Sequence, residues 1–137
     1  MDQPASAATR ITGVTTVAIP VADQQRSLAF YVEALGFEKR RDVPFGPGRR
    51  WIEVAPRGAA TTIALPPRGD VAPGVDTGIR LTTRDAEADR AALQARGVDV
   101  DREILRFGPG VPPMFTLRDP DGNRLYVVEA TPEVPPR

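Results

Sequence analysis

Histidine and cysteine are both absent from this 137-residue chain. That removes the two commonest ligands for zinc, nickel, copper and iron. It also removes the Cys–His and Ser–His pairs of nucleophilic catalysis and any disulfide framework. Carboxylates, arginines and phenols remain. Glu53, Arg80 and Tyr126 sit at strand positions of matching parity, where they can share a face. Together they would make a metal-free isomerase or lyase site. Glu53 would be the acid or base, Arg80 an oxyanion or carboxylate clamp, and Tyr126 a proton donor. Burial would have to raise the Glu53 pKa toward neutrality, and a nearby Arg80 would oppose this. Binding therefore ranks above catalysis. The chain has no GxxxxGK[ST] loop and no GxGxxG fingerprint, so nothing argues for nucleotide binding. Asp119–Asn123 (DPDGN) begins like a calcium loop but lacks the remaining ligands and the terminal Glu, so it reads as a turn.

Strand alternation sorts the side chains of these segments into two faces. One is wholly apolar, with Ile19, Ile52, Val54, Ile63, Phe115, Leu125 and their neighbours, and helices must cover it. The other carries Thr16, Ala18, Trp51, Glu53, Thr62, Ala64, Gly78, Arg80, Thr82, Met114, Thr116 and Tyr126. An aromatic floor with a few polar groups suits a small-molecule pocket. Parity alone fits a solvated sheet face equally well, its charges worth little to stability.

The elements that position these residues are legible in the spacing. Val14–Val21 alternates as a strand whose Pro20 belongs at an edge or near the end. Asp23 is a helix cap, Gln24–Leu35 the helix and Gly36 its stop. Strands follow at Phe37–Asp42, Trp51–Val54 and Thr61–Leu65. The pattern then restarts, with a strand at Thr77–Thr82, the cap Asp85, a helix over Ala86–Arg96 and the stop Gly97. Strands at Val98–Ile104, Met114–Asp119 and Asn123–Ala130 complete it. The tetrapeptide FGPG occurs at Phe45–Gly48 and again at Phe107–Gly110, 62 residues on, the same offset that separates Asp23 from Asp85. An identity at the offset set by the helix caps marks an internal repeat. The fold class is α+β, with two tandem βαβββ modules at about 11–68 and 74–130. Residues 1–10 form an N-terminal arm and 131–137 a Pro-rich tail. The FGPG segments could be lids, with Phe45 and Phe107 touching a ligand, but read better as plain turns in which Gly and Pro set the backbone and the Phe side chains pack.

Lys plus Arg equals Asp plus Glu at 18 each, so the net charge is zero and gives no footprint for nucleic acid or an anionic membrane. No apolar run is long enough to span a bilayer, and the first ten residues have no signal-peptide core. A cytoplasmic location is the expectation.

Two tandem βαβββ units, the segment VTTVAIPVADQQRSLAFYVEALGF and the closing DPDGNRLYVVE resemble the vicinal-oxygen-chelate superfamily (glyoxalase, bleomycin resistance and dioxygenase proteins) over roughly Ile11–Ala130. The resemblance implies curved mixed sheets around a cavity, completed by pairing in a homodimer. It favours the pocket reading, with Thr16, Phe45, Trp51, Glu53, Thr62, Arg80, Phe107, Met114 and Tyr126 as ligand-binding residues. Metal-dependent members carry ligands at places that fall here on Thr16, Ala64, Gly78 and Tyr126, none of them a metal ligand. The expectation is a metal-independent binder of an antibiotic or metabolite, aromatic or amphipathic, with no cofactor. The metal-free isomerase or lyase ranks second. A metal-dependent lactoylglutathione lyase or dioxygenase ranks last. A cationic drug such as bleomycin favours an acidic binder, and this chain is neutral.

Overall fold

A computed structural model describes residues 8–130. The ends of the N-terminal arm and the whole tail expected at 131–137 lie outside the described residues. Strand β1 (Thr16–Ala18) leads into helix α1, which is α-helical over Gln24–Ala29 and continues as a π-helical turn over Phe30–Ala34. Then come β2 (Glu38–Pro44), β3 (Arg50–Ala55) and β4 (Thr62–Ala64). The second unit runs β5 (Asp76–Thr83), α2 (Ala86–Ala95), β6 (Asp99–Val100), β7 (Met114–Arg118) and β8 (Arg124–Glu129). The sheets repeat one topology, β1-β4-β3-β2 and β5-β8-β7-β6, with a parallel pair at one end of each. The α+β reading and the twofold use of βαβββ hold.

The two helices begin alike because their caps do. Asp23 accepts from the Arg26 N–H and Asp85 from the Ala88 N–H, each at 3.0 Å. A cap of this kind is worth about 1 kcal/mol. Gly36 and Gly97 stop the helices at φ +76 and +82, a region a Cβ disfavours. Gln24 ties the start of α1 to the first sheet, donating to Arg50 O (2.6 Å) and Leu65 O (2.8 Å).

The apolar strand face packs as its alternation requires. Ile19, Ile52, Val54, Leu65, Phe115, Leu117 and Leu125 are all buried, with Tyr31 among them. Some elements are shorter than expected. Ile19 and Val21 still donate to Ala64 O and Pro66 O, but Pro66 has no N–H to return, so β1 ends at Ala18 and only an isolated bridge, Val21 to Pro67, continues its line, with Pro20 facing the open edge. Strand β6 keeps two residues of the seven expected, and Leu105 pairs with Met114 alone. Both FGPG segments are turns, closed by Arg49 N–H to Gly46 O and by Val111 N–H to Gly108 O.

The DPDGN turn does more than reverse the chain. Asp119 is buried, and its Oδ1 accepts from the Asp121 and Asn123 N–H groups, both at 2.9 Å. Its Oδ2 accepts from the Tyr31 hydroxyl (2.9 Å) and the Asn123 amide (3.0 Å). Asn123 also donates to Pro20 O and accepts from the Val75 N–H. Asp121 accepts from the Ala22 N–H and pairs with Arg26. The last turn of the second unit is thereby latched onto the start of the first.

Candidate functional site

The expected site residues are brought together in two groups, one on each sheet. On the first, β3 presents Trp51 and Glu53 on one face. The Trp51 indole N–H donates to Glu53 Oε2 at 2.7 Å, and the Thr62 hydroxyl donates to Oε1 at 2.8 Å. The turn after β2 sets the Phe45 ring against Trp51, edge to face, with centroids 5.8 Å apart. Thr16 lies across from Thr62 and donates to its carbonyl at 3.2 Å. The result is an aromatic pair beside a carboxylate whose two oxygens are held by neutral donors.

On the second sheet, Arg80 of β5 stands over the Tyr126 ring of β8, with its guanidinium carbon 4.3 Å from the centroid. The Tyr126 hydroxyl donates to Asp76 Oδ2 at 2.9 Å. Thr116 faces Tyr126 across β7 and donates through its hydroxyl to Asp101, which also takes Arg118. Met114 shares this strand, while Phe107 is 65% exposed on its turn. The register explains the Asp76 contact. Asp76 pairs with Arg124 and Arg80 with Tyr126, so β5 uses four residues where β8 uses two. Gly78, at φ +70, is in this bulge. A bulge re-aims side chains, and here Asp76 and Arg80 both meet Tyr126.

Sequence reasoning did not select Asp76, Arg41 or Asp101. A glycine inside a strand pattern is the available signal for the bulge that delivers Asp76. Arg41 lies across the ladder from Glu53 but beyond a register shift, which hides it from simple alternation.

The expected nearness of Arg80 to Glu53 needs correction. Glu53 and Arg80 stand on different sheets and no ion pair among the described residues joins them, although Thr62, which holds Glu53, and Arg80 line one groove. The cation that acts on Glu53 is Arg41. Nor is the Glu53 pKa raised, as a general base at neutral pH requires. The Trp51 N–H first, and the Thr62 hydroxyl second, hold its carboxyl below the usual range, outweighing its partial burial.

A depressed folded pKa stabilises the fold above the unfolded value, near 4.3 for Glu, and that contribution is lost as pH falls through the folded value. Urea unfolding of the wild type and Glu53→Gln should therefore show a gap at pH 7 that closes on acidification below about pH 4. A gap that widens on acidification contradicts this assignment.

The four positions to which the resemblance assigns metal ligands offer a hydroxyl already donating to a carbonyl (Thr16), a methyl (Ala64), no side chain (Gly78) and a phenol engaged with Asp76 (Tyr126). This donor set does not fit a transition-metal ion, which needs three or four converging N, O or S ligands. Among the described residues no three His, Cys, Asp or Glu side chains gather as a metal site would need.

The model of the Glyoxalase/Bleomycin resistance protein/Dioxygenase superfamily matches residues 13–127, and the chain belongs to that superfamily. It is 43% identical over 118 residues to the uncharacterized protein YetH of Bacillus subtilis (strain 168), covering 85% of this chain and 97% of YetH. A superfamily member from Sphaerobacter thermophilus DSM 20745 superposes with TM-score 0.81 at 37% identity, over 89% of this chain and all of that one. TnmS3, an antibiotic binding protein from Streptomyces sp. CB03234, superposes with TM-score 0.78 at 36% identity, over 90% of this chain and all of TnmS3.

Proposed function

We propose that this chain is a metal-independent small-molecule-binding protein that holds an aromatic or amphipathic antibiotic or metabolite between the site faces of two paired copies. The observation that carries the reading is the Phe45–Trp51 aromatic pair beside a carboxylate fixed by Trp51 and Thr62. Such a group orients a ligand as a permanent acceptor and makes a poor proton shuttle. Glu53 is held below the usual carboxylate range, which places binding above the isomerase or lyase alternative. The likeness to TnmS3 supports the ligand class.

Pairing is supported by the sheet edges. Strands β1 and β5 each end their sheet, and the apolar Val17, Ile79 and Leu81 on them are only partly buried. Natural proteins cover such edges. Within one copy Val17, Thr62, Ile79 and Arg80 border one groove, and a second copy packed against these edges would close it over the Glu53 and Arg80 sides of the site.

Trp51 is the only tryptophan, so fluorescence excited selectively at tryptophan, sparing the two tyrosines, reports from the site alone. Titration with N-phenyl-1-naphthylamine, a neutral aromatic probe, is expected to quench it saturably. A response that stays linear with probe, or none, contradicts binding at this face.

A further inference from the structure

We propose that Arg80, braced by Tyr126, Asp76 and Gly78, is an anion receptor, and that the ligand is an aromatic molecule bearing a carboxylate, sulfonate or phosphate. The proposal rests on the small-molecule reading above and narrows its ligand class.

Arg80 is exposed, yet its position is constrained twice. Its guanidinium lies on the Tyr126 ring, and its Nη1 donates to Gly78 O at 2.8 Å. Held over the ring and tethered through Nη1, the guanidinium keeps its Nε and Nη2 donors for an oxyanion, the pair that can grip one in two places. Those remaining donors have no hydrogen-bond partner among the described residues.

The nearby carboxylate is already engaged. Asp76 Oδ2 accepts from Tyr126 and lies 3.9 Å from Arg124, while Oδ1 accepts from the Gly78 N–H at 3.1 Å. Asp76 feels the charges of both Arg124 and Arg80, so its one negative charge leaves one positive charge of this cluster uncompensated. Arg41 of β2 likewise has no ion pair among the described residues but no ring beneath it, and two other strand arginines are paired. Arg50 is bound to Asp42 at 2.6 Å and Arg118 to Asp101 at 3.1 Å. Arg80 has no carboxylate within ion-pair distance among the described residues, and it borders an aromatic surface suited to the rest of a ligand. The bulge at Gly78 builds this arrangement, because without it Asp76 would not reach Tyr126.

Two dyes that differ by a sulfonate separate the receptor from the aromatic surface. These are 1-anilinonaphthalene-8-sulfonate and the neutral N-phenyl-1-naphthylamine. At low ionic strength the sulfonate is expected to bind about tenfold more tightly to the wild type, and that preference should collapse toward unity in Arg80→Ala. Arg80→Lys keeps the charge without the fork and should fall between. Arg84→Ala removes one positive charge from an exposed position off the site and should leave the preference unchanged. No preference in the wild type, a preference that survives Arg80→Ala, or an equal fall in Arg84→Ala would overturn the proposal. If neither dye binds, the small-molecule reading fails. The receptor is then judged from the Arg80 Nε–H resonance under titration with benzenesulfonate, where a saturable shift supports it and an unmoved resonance overturns it.

Discussion

Replacing Asp119 with alanine should lower the unfolding free energy by about 3–5 kcal/mol, the range for breaking a buried hydrogen-bonded network. Asp119 accepts four hydrogen bonds. Its removal leaves the Tyr31 hydroxyl and the Asn123 amide, both on fully buried side chains, short of an acceptor. The loss exceeds that of an ordinary turn residue because this turn also anchors Pro20 and the start of α1. Tyr31→Phe should cost less, about 1–2 kcal/mol, since three donors to Asp119 survive. Urea unfolding followed by circular dichroism reads both. An Asp119→Ala variant within about 1 kcal/mol of the wild type would show that the latch carries little of the fold's stability.

Trp51→Ala should weaken binding of an aromatic ligand by about 30- to 1,000-fold, the effect of truncating an aromatic anchor. The substitution removes the ring that pairs with Phe45 and a donor that fixes Glu53. Trp51→Phe keeps an aromatic face and loses only the indole N–H, so its effect should be about tenfold or less. The fluorescent reporter is lost in both variants, so calorimetric titration with N-phenyl-1-naphthylamine is the measurement. If both variants bind as the wild type does, the ligand lies elsewhere.

Much of the fold was legible because its signals are local. Helix caps, glycine stops and the FGPG recurrence each lie within a few residues, and the offset of 62 exposed the repeat. Alternation correctly separated the buried Ile52 and Val54 from the partly exposed Trp51 and Glu53 on the other face. It could not say which sheets abut. Parity places a side chain on a face but is silent about how two sheets are oriented, so it could not say that Glu53 and Arg80 make no ion pair within one copy, though Thr62 and Arg80 line one groove. The DPDGN latch was illegible for a related reason. Its partners Ala22 and Tyr31 lie 99 and 88 residues away in sequence. The bulge at Gly78 is intermediate, since a glycine in a strand warns of irregularity without saying which neighbour it re-aims.

The superfamily supports several chemistries on one scaffold, so function rests on the side chains at the site. Here they favour recognition. The first sheet offers an aromatic pair and a fixed acceptor, and the second a stacked guanidinium. Neither offers a group tuned to shuttle protons near neutral pH, because the Glu53 and Asp76 carboxyls are both held below their usual range by donors around them.

Native mass spectrometry of the purified protein, with no metal added, tests the central claim most directly. The account predicts a dimer without bound metal that takes up one small aromatic ligand per paired site. A dimer carrying a stoichiometric transition metal would contradict it, and would show that ligands other than the residues at Thr16, Ala64, Gly78 and Tyr126 hold the ion.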